Sequence, residues 1–190
     1  MMKVYRPLPL DIERKVNPRA LYISKTDRHG NIVYVNKNIQ NISTYLENEL
    51  VGFPHNILRH PEMPKAIFYK LWSELEKGNE VTILIKSLAK TGEFYWLKHK
   101  FQVIENDLSV QYKSIAEIAS SKAIENIEIL YKKLLKIEKR ENMTASLFYL
   151  EKYLKERDLG FLEYMEKKLS PQPKIELLFN RLKSSLNIAA

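Results

Sequence analysis

The sequence predicts an α+β fold: a five-stranded antiparallel sheet with short helices gathered on one face, followed by a C-terminal helical extension. Three observations lead there. Strand-like segments come as a pair and then as a trio, with helical segments between them. A polar loop broken by Pro54, Pro61 and Pro64 feeds the longest of those helical segments. Beyond residue 119 the apolar spacing turns wholly helical. These divide the chain into an arm (1–19), a domain (20–118) and an extension (119–190).

Residues 1–19, punctuated by Pro7, Pro9 and Pro18, have little periodicity and read as an extended arm with at most one short helical turn. Strand signals follow at Leu21–Ser24 and Ile32–Val35, joined by the turn Asp27-Arg28-His29-Gly30-Asn31. Short helical pieces are expected around Lys37–Tyr45, Glu47–Leu50 and Pro54–Leu58. A longer helix, Lys65–Lys77, stops at the C-cap glycine Gly78. Strands Val81–Ser87, Glu93–Ile104 and Leu108–Glu117 complete the domain, with turns at Lys90-Thr91-Gly92 and Glu105-Asn106-Asp107.

In the extension, Ile124, Ile127, Leu130, Tyr131, Leu134 and Leu135 form one stripe at spacings of three and four. Leu147, Leu150, Leu154 and then Leu159, Leu162, Met165, Leu169 repeat it, with Gly160 at a junction. Pro171 and Pro173 precede a last expected helix, Lys174–Leu186.

Composition narrows the function. The chain has 190 residues, no cysteine and a net charge of +8. Without cysteine there is no iron–sulfur cluster, thiolate zinc site, thiol switch or cysteinyl-flavin adduct, so redox sensing requires a bound cofactor. The positive charge is spread: residues 1–119 hold 17 Lys and Arg against 13 Asp and Glu, and residues 120–190 hold 14 against 10. Nucleic-acid binders concentrate charge on one face or arm, so the expectation is a solvated mixed surface and no nucleic-acid partner. No apolar run is long enough to span a membrane, and the N-terminus lacks a secretory core, which predicts a cytoplasmic protein without membrane insertion. With 5 glycines, no phosphate-binding glycine loop and no nucleophile–base spacing, no enzyme is expected.

The most informative segment is Pro54-His55-Asn56-Ile57-Leu58-Arg59-His60-Pro61-Glu62-Met63-Pro64. Prolines cannot sit inside a helix, so this is a rigid irregular loop presenting polar side chains at set angles. Its Arg and His suit an anionic group; equally, Arg59 can cap the preceding turn and His60 can pack as a neutral core imidazole. His55 and Asn56 can simply begin a short helix, Asn36 can cap the helix after the second strand, and Trp72 and Trp96 can be core.

The loop, with Phe68 and Trp72 after it, closely resembles the same segment in PAS domains of bacterial aerotaxis receptors, flavin-binding sensors of energy taxis. Thr26-Asp27, Gly30 to Asn36, Ser43-Thr44-Tyr45, Glu49-Leu50-Val51-Gly52 and Lys90-Thr91-Gly92-Glu93-Phe94-Tyr95-Trp96 resemble that family in the same order. The resemblance implies FAD held by Arg59, His60 and an acid, here Glu62, with Asn36, His55, Trp72 and Trp96 as further contacts. It also implies signalling to a membrane-bound methyl-accepting transducer or another chemotaxis protein, with residues 119–190 for docking or homodimerisation. Three departures stand out: Glu62 replaces the usual Asp, Val81 replaces a Trp, and Lys86-Ser87-Leu88 replaces a basic amide run. Haem ligated by His60 or His55 is the alternative cofactor, and a cofactor-free interaction adaptor is the alternative function.

Overall fold

The computed structural model describes residues 6–106 and 109–170. Strands β1 (Tyr22–Asp27) and β2 (Ile32–Val35) are followed by helices α1 (Lys37–Ser43) and α2 (Glu47–Leu50), a 3₁₀ turn (His55–Leu58) and α3 (Lys65–Glu76). Then come β3 (Val81–Leu88), β4 (Phe94–Asn106) and β5 (Ser109–Ile118), and helices α4 (Ser121–Arg140), α5 (Met143–Lys155) and α6 (Phe161–Leu169). The strands form one antiparallel sheet in the order β2-β1-β5-β4-β3.

Strand side chains alternate between faces, and the register sorts them. Ile85 pairs with Leu97 and Ser87 with Tyr95 on one face, while Lys86 pairs with Trp96 on the other. On the first face Tyr95, Leu97 and Ala116 bury themselves with Tyr22, Ile39, Ile42, Leu50, Ile57 and Leu58, which places α1, α2 and the 3₁₀ turn over the sheet. A second core joins Ile67, Leu71 and Leu75 of α3 and Leu84 of β3 to Tyr131, Leu134, Leu150 and Met165 of α4–α6. The extension's stripes thus fold back onto their own domain. Gly160 is the N-cap of α6. The expected helix Lys174–Leu186 lies outside the described residues.

The described part of the arm is extended, and residues 6–20 contain no helix. It runs beside β4, where the backbone N–H groups of Leu10 and Arg14 donate to the carbonyls of Gly92 and Phe94 at 2.7 Å each. Phe94 N–H donates back to Ile12, and Glu13 pairs with Phe94 in parallel. β5 pairs with β4 only from Leu97 onward, so the first residues of β4 have ladder groups to offer, and satisfying them outweighs a solitary helical turn. Gly92 permits the approach: a Cβ there would lie 2.5 Å from the Leu8 carbonyl oxygen, and its φ is +94°. No helix among the described residues is long and apolar enough to cross a membrane.

Candidate functional site

The proline loop is stitched along the free edge of β3. Arg59 forms a bridge with Ser87, His60 N–H donates to the Lys86 carbonyl at 3.2 Å, and Lys86 N–H approaches the Met63 sulfur at 3.3 Å. This covers an edge that would otherwise expose unpaired backbone. It also aims Arg59 under the loop, into a cavity of about 190 Å³ whose walls include His55, Phe68, Trp72, Ile85 and Ser87.

Arg59 is partly buried. Its guanidinium lies 5.2 Å from the Phe68 ring centre, a cation–π contact, and its Nε is buried without a partner. Burial and then Arg6 lower its proton affinity, while Glu138 raises it. Trp72 packs edge-to-face on Tyr112 with centroids 5.4 Å apart. His55 sets Nε2 3.3 Å from the Ser24 hydroxyl, and burial pushes its pKa down to about 4.

The other expected residues go elsewhere. His60 is 4% exposed, and its Nδ1 accepts the Glu62 N–H at 3.2 Å while its ring packs edge-to-face on Phe94. Burial, then Lys86, push its pKa to about 4 against the pull of Glu62. Glu62 turns away from the cavity to bond Lys86 Nζ at 2.6 Å, and that bond lowers the carboxyl pKa despite partial burial. Lys86 in turn stands 4.0 Å over the Phe94 ring. Asn36 caps α1: its Oδ1 accepts from Ile39 N–H at 3.1 Å and Ile23 N–H at 3.2 Å, and its Nδ2 donates to the Leu21 carbonyl at 2.9 Å. Trp96 lies on the opposite sheet face, paired with Lys86. The fold therefore gathers Arg59, His55 and Trp72 at one cavity, makes His60 and Glu62 part of the loop's own scaffold, and puts Asn36 into a cap.

Sequence reasoning missed a buried polar cluster next to His55. Ser24, Thr26, His99 and Ser114 are all buried. His99 Nδ1 lies 2.9 Å from the Ser114 hydroxyl, while His99 Nε2 and Thr26 Oγ1 are buried without partners. Burial, then neighbouring His55, push the His99 pKa down to about 3. The available signal was position: His99 alternates with Leu97 and Phe101, which places all three on the inward face. Val81, one of the departures, is simply core, and Ser87 lines the cavity. Among the described residues no group of three or more His, Asp or Glu stands together as a metal site.

Residues 32–116 match the PAS fold family. The chain is 35% identical over 113 residues to the aerotaxis receptor of Escherichia coli, a match covering 59% of this chain and 22% of that protein. Residues 32–116 carry the PAS fold, and the chain is similar in sequence to the aerotaxis receptor. The bacterioopsin transcriptional activator of Halobacterium salinarum is 22% identical over 97 residues, covering 47% of this chain and 14% of that protein. The chain thus spans less than a quarter of either relative. Among solved structures, a PAS domain from Colwellia psychrerythraea has a TM-score of 0.48 at 25% identity, covering 52% of this chain and 85% of that one. A light-oxygen-voltage domain studied with a flavin analogue has a TM-score of 0.48 at 21% identity, covering 63% of this chain and 87% of that one. In this PAS domain the proline loop walls a partly open cavity, and the helices after β5 pack back onto the loop.

Proposed function

We propose that this chain is a cytoplasmic PAS-type sensor that reads redox or energy state through non-covalently bound FAD and signals to a separate membrane-bound chemotaxis transducer, with residues 119–190 as the docking surface. The observation that carries the reading is Arg59, a cation at the cavity wall with a buried, unpartnered Nε. A buried donor left unpaired costs roughly 1–3 kcal/mol, and a pyrophosphate or ring carbonyl would satisfy it by a charge-assisted bond. His99 Nε2, next to the cavity's His55, is a further buried atom without a partner. The donor set therefore fits a flavin.

The cavity admits less of it. About 190 Å³ is below the roughly 300–1,000 Å³ of small-molecule sites, so entry of a ring would require the 3₁₀ turn and Trp72 to move apart. Bound FAD would supply a group whose charge and protonation change on reduction. Arg59 would hold its anionic portion, and the neutral imidazoles of His55 and His99 would offer hydrogen bonds that differ between its two states. Such differential contact is what a signal requires. The small volume also favours a second reading, a cofactor-free interaction adaptor.

The visible absorption spectrum of freshly purified full chain separates these readings. A two-band flavin spectrum, with FAD released on heating and lost in Arg59→Ala, supports the sensor. A Soret band points to haem. A protein that stays colourless after incubation with excess FAD removes the flavin reading and leaves the adaptor.

A further inference from the structure

The sheet face opposite Arg59 has a hollow of its own. Lys86 and Trp96 are register partners on that face, and α4 crosses it, with the Tyr131 hydroxyl donating to the Leu84 carbonyl at 2.9 Å. Between them lies a cavity of about 320 Å³, within the roughly 300–1,000 Å³ of small-molecule sites. Its floor is aromatic and apolar, made by Trp96, Tyr131 and Leu135.

Its rim is cationic. Lys132, Lys136 and Arg140 recur every fourth residue on one side of α4, with Lys139 beside them and Lys86 facing from β3. The two carboxylates at the rim are already engaged: Glu62 bonds Lys86 at 2.6 Å and Glu128 bonds Lys132 at 3.0 Å. That leaves Lys136 and Arg140 without a carboxylate partner among the described residues and Lys139 with only the longer-range pull of Glu62, although all three stand at one cavity mouth. Like charges held together at an apolar hollow repel one another, and a bound anion relieves this. The chain's own residues 171–190 do not suit the role, because they carry Lys174, Arg181 and Lys183 against Glu176 alone.

We propose that this cavity is a second binding site, for a small anion with a flat aromatic body of mononucleotide type. The ring system would enter the hollow beside Leu135 and the buried walls of Trp96 and Tyr131, and the phosphate would meet Lys136, Lys139 and the planar fork of Arg140. The site is separate from the Arg59 cavity, yet touches the loop that walls it through Glu62 and Lys86. Occupancy here bears directly on the proline loop.

Isothermal titration of the full chain with AMP, adenosine and inorganic phosphate tests the site. AMP is expected to bind saturably, with adenosine and phosphate each at least about tenfold weaker, since neither supplies both contacts. The exposed double substitution Lys136→Ala/Arg140→Ala is expected to weaken AMP at least about tenfold while leaving circular dichroism and the unfolding midpoint unchanged. Absence of saturable AMP binding, equal affinity for adenosine, or undiminished affinity in the folded double variant overturns the proposal. So does loss of AMP binding in Arg59→Ala with retention in the double variant, which would place AMP in the flavin cavity instead.

Discussion

The Glu138 carboxylate of α4 accepts the backbone N–H of Ala66 at 2.8 Å, with its other oxygen on the N–H of Lys65 at 2.9 Å. α3 begins after Pro64, which has no side-chain cap to give. The first N–H groups of a helix are orphans that need acceptors and favour negative charge, so a residue 72 positions away supplies the cap. The start of α3, directly after the proline loop, is thereby tied to the C-terminal helices. A shift of the loop changes what α4 holds, a physical route from cavity to extension.

Glu138→Ala is expected to cost about 0.5–2 kcal/mol, the usual range for a lost cap, and Glu138→Gln less, because the amide oxygen still accepts. Urea unfolding followed by circular dichroism measures both. Equal stability of Glu138→Ala and wild type would show that the cap carries no weight.

The Glu62–Lys86 pair is asymmetric. The Lys86 side chain is 11% exposed and that of Glu62 58%. Glu62→Ala strands a buried ammonium and is expected to destabilise by about 1–3 kcal/mol. Lys86→Met leaves only a solvated carboxylate and is expected to cost less. The same unfolding assay ranks the two, and the reverse order would refute the argument.

His55, His60 and His99 have pKa values pushed down to about 4, 4 and 3 from an ordinary 6.5. The folded state holds them neutral, so below pH 6.5 the unfolded chain binds more protons. Their contribution is full above pH 6.5 and is lost as pH falls towards 4, each at about 1.4 kcal/mol per pH unit. Unfolding free energies at pH 7, 6 and 5 should fall accordingly, and His99→Asn should flatten the decline. A flat profile between pH 7 and 5 would contradict neutral burial.

Gly92→Ala sets a Cβ against the Leu8 carbonyl and forces a positive φ on alanine. A loss of about 1–3 kcal/mol is expected, together with faster proteolytic cleavage within residues 6–14 as the arm leaves β4. Unchanged protection of the arm would show that its pairing survives by another route.

Strand and helix order were readable in the chain because burial periodicity is local: Leu97, His99 and Phe101 alternate, and Ile127, Leu130 and Leu134 recur at helical spacing. The loop's rigidity was equally local, set by Pro54, Pro61 and Pro64. Which side chains face the cavity was not, because that depends on register between strands far apart in sequence. Trp96 falls opposite Lys86 and so away from Arg59, while His99 falls behind His55. The arm's pairing with Gly92 and the Glu138 cap on α3 likewise satisfy backbone groups across the fold. The sequence by itself determined the elements, their order and a cation-bearing loop; tertiary structure alone decided the partners, because hydrogen bonds between distant residues form only where packing has already brought them together.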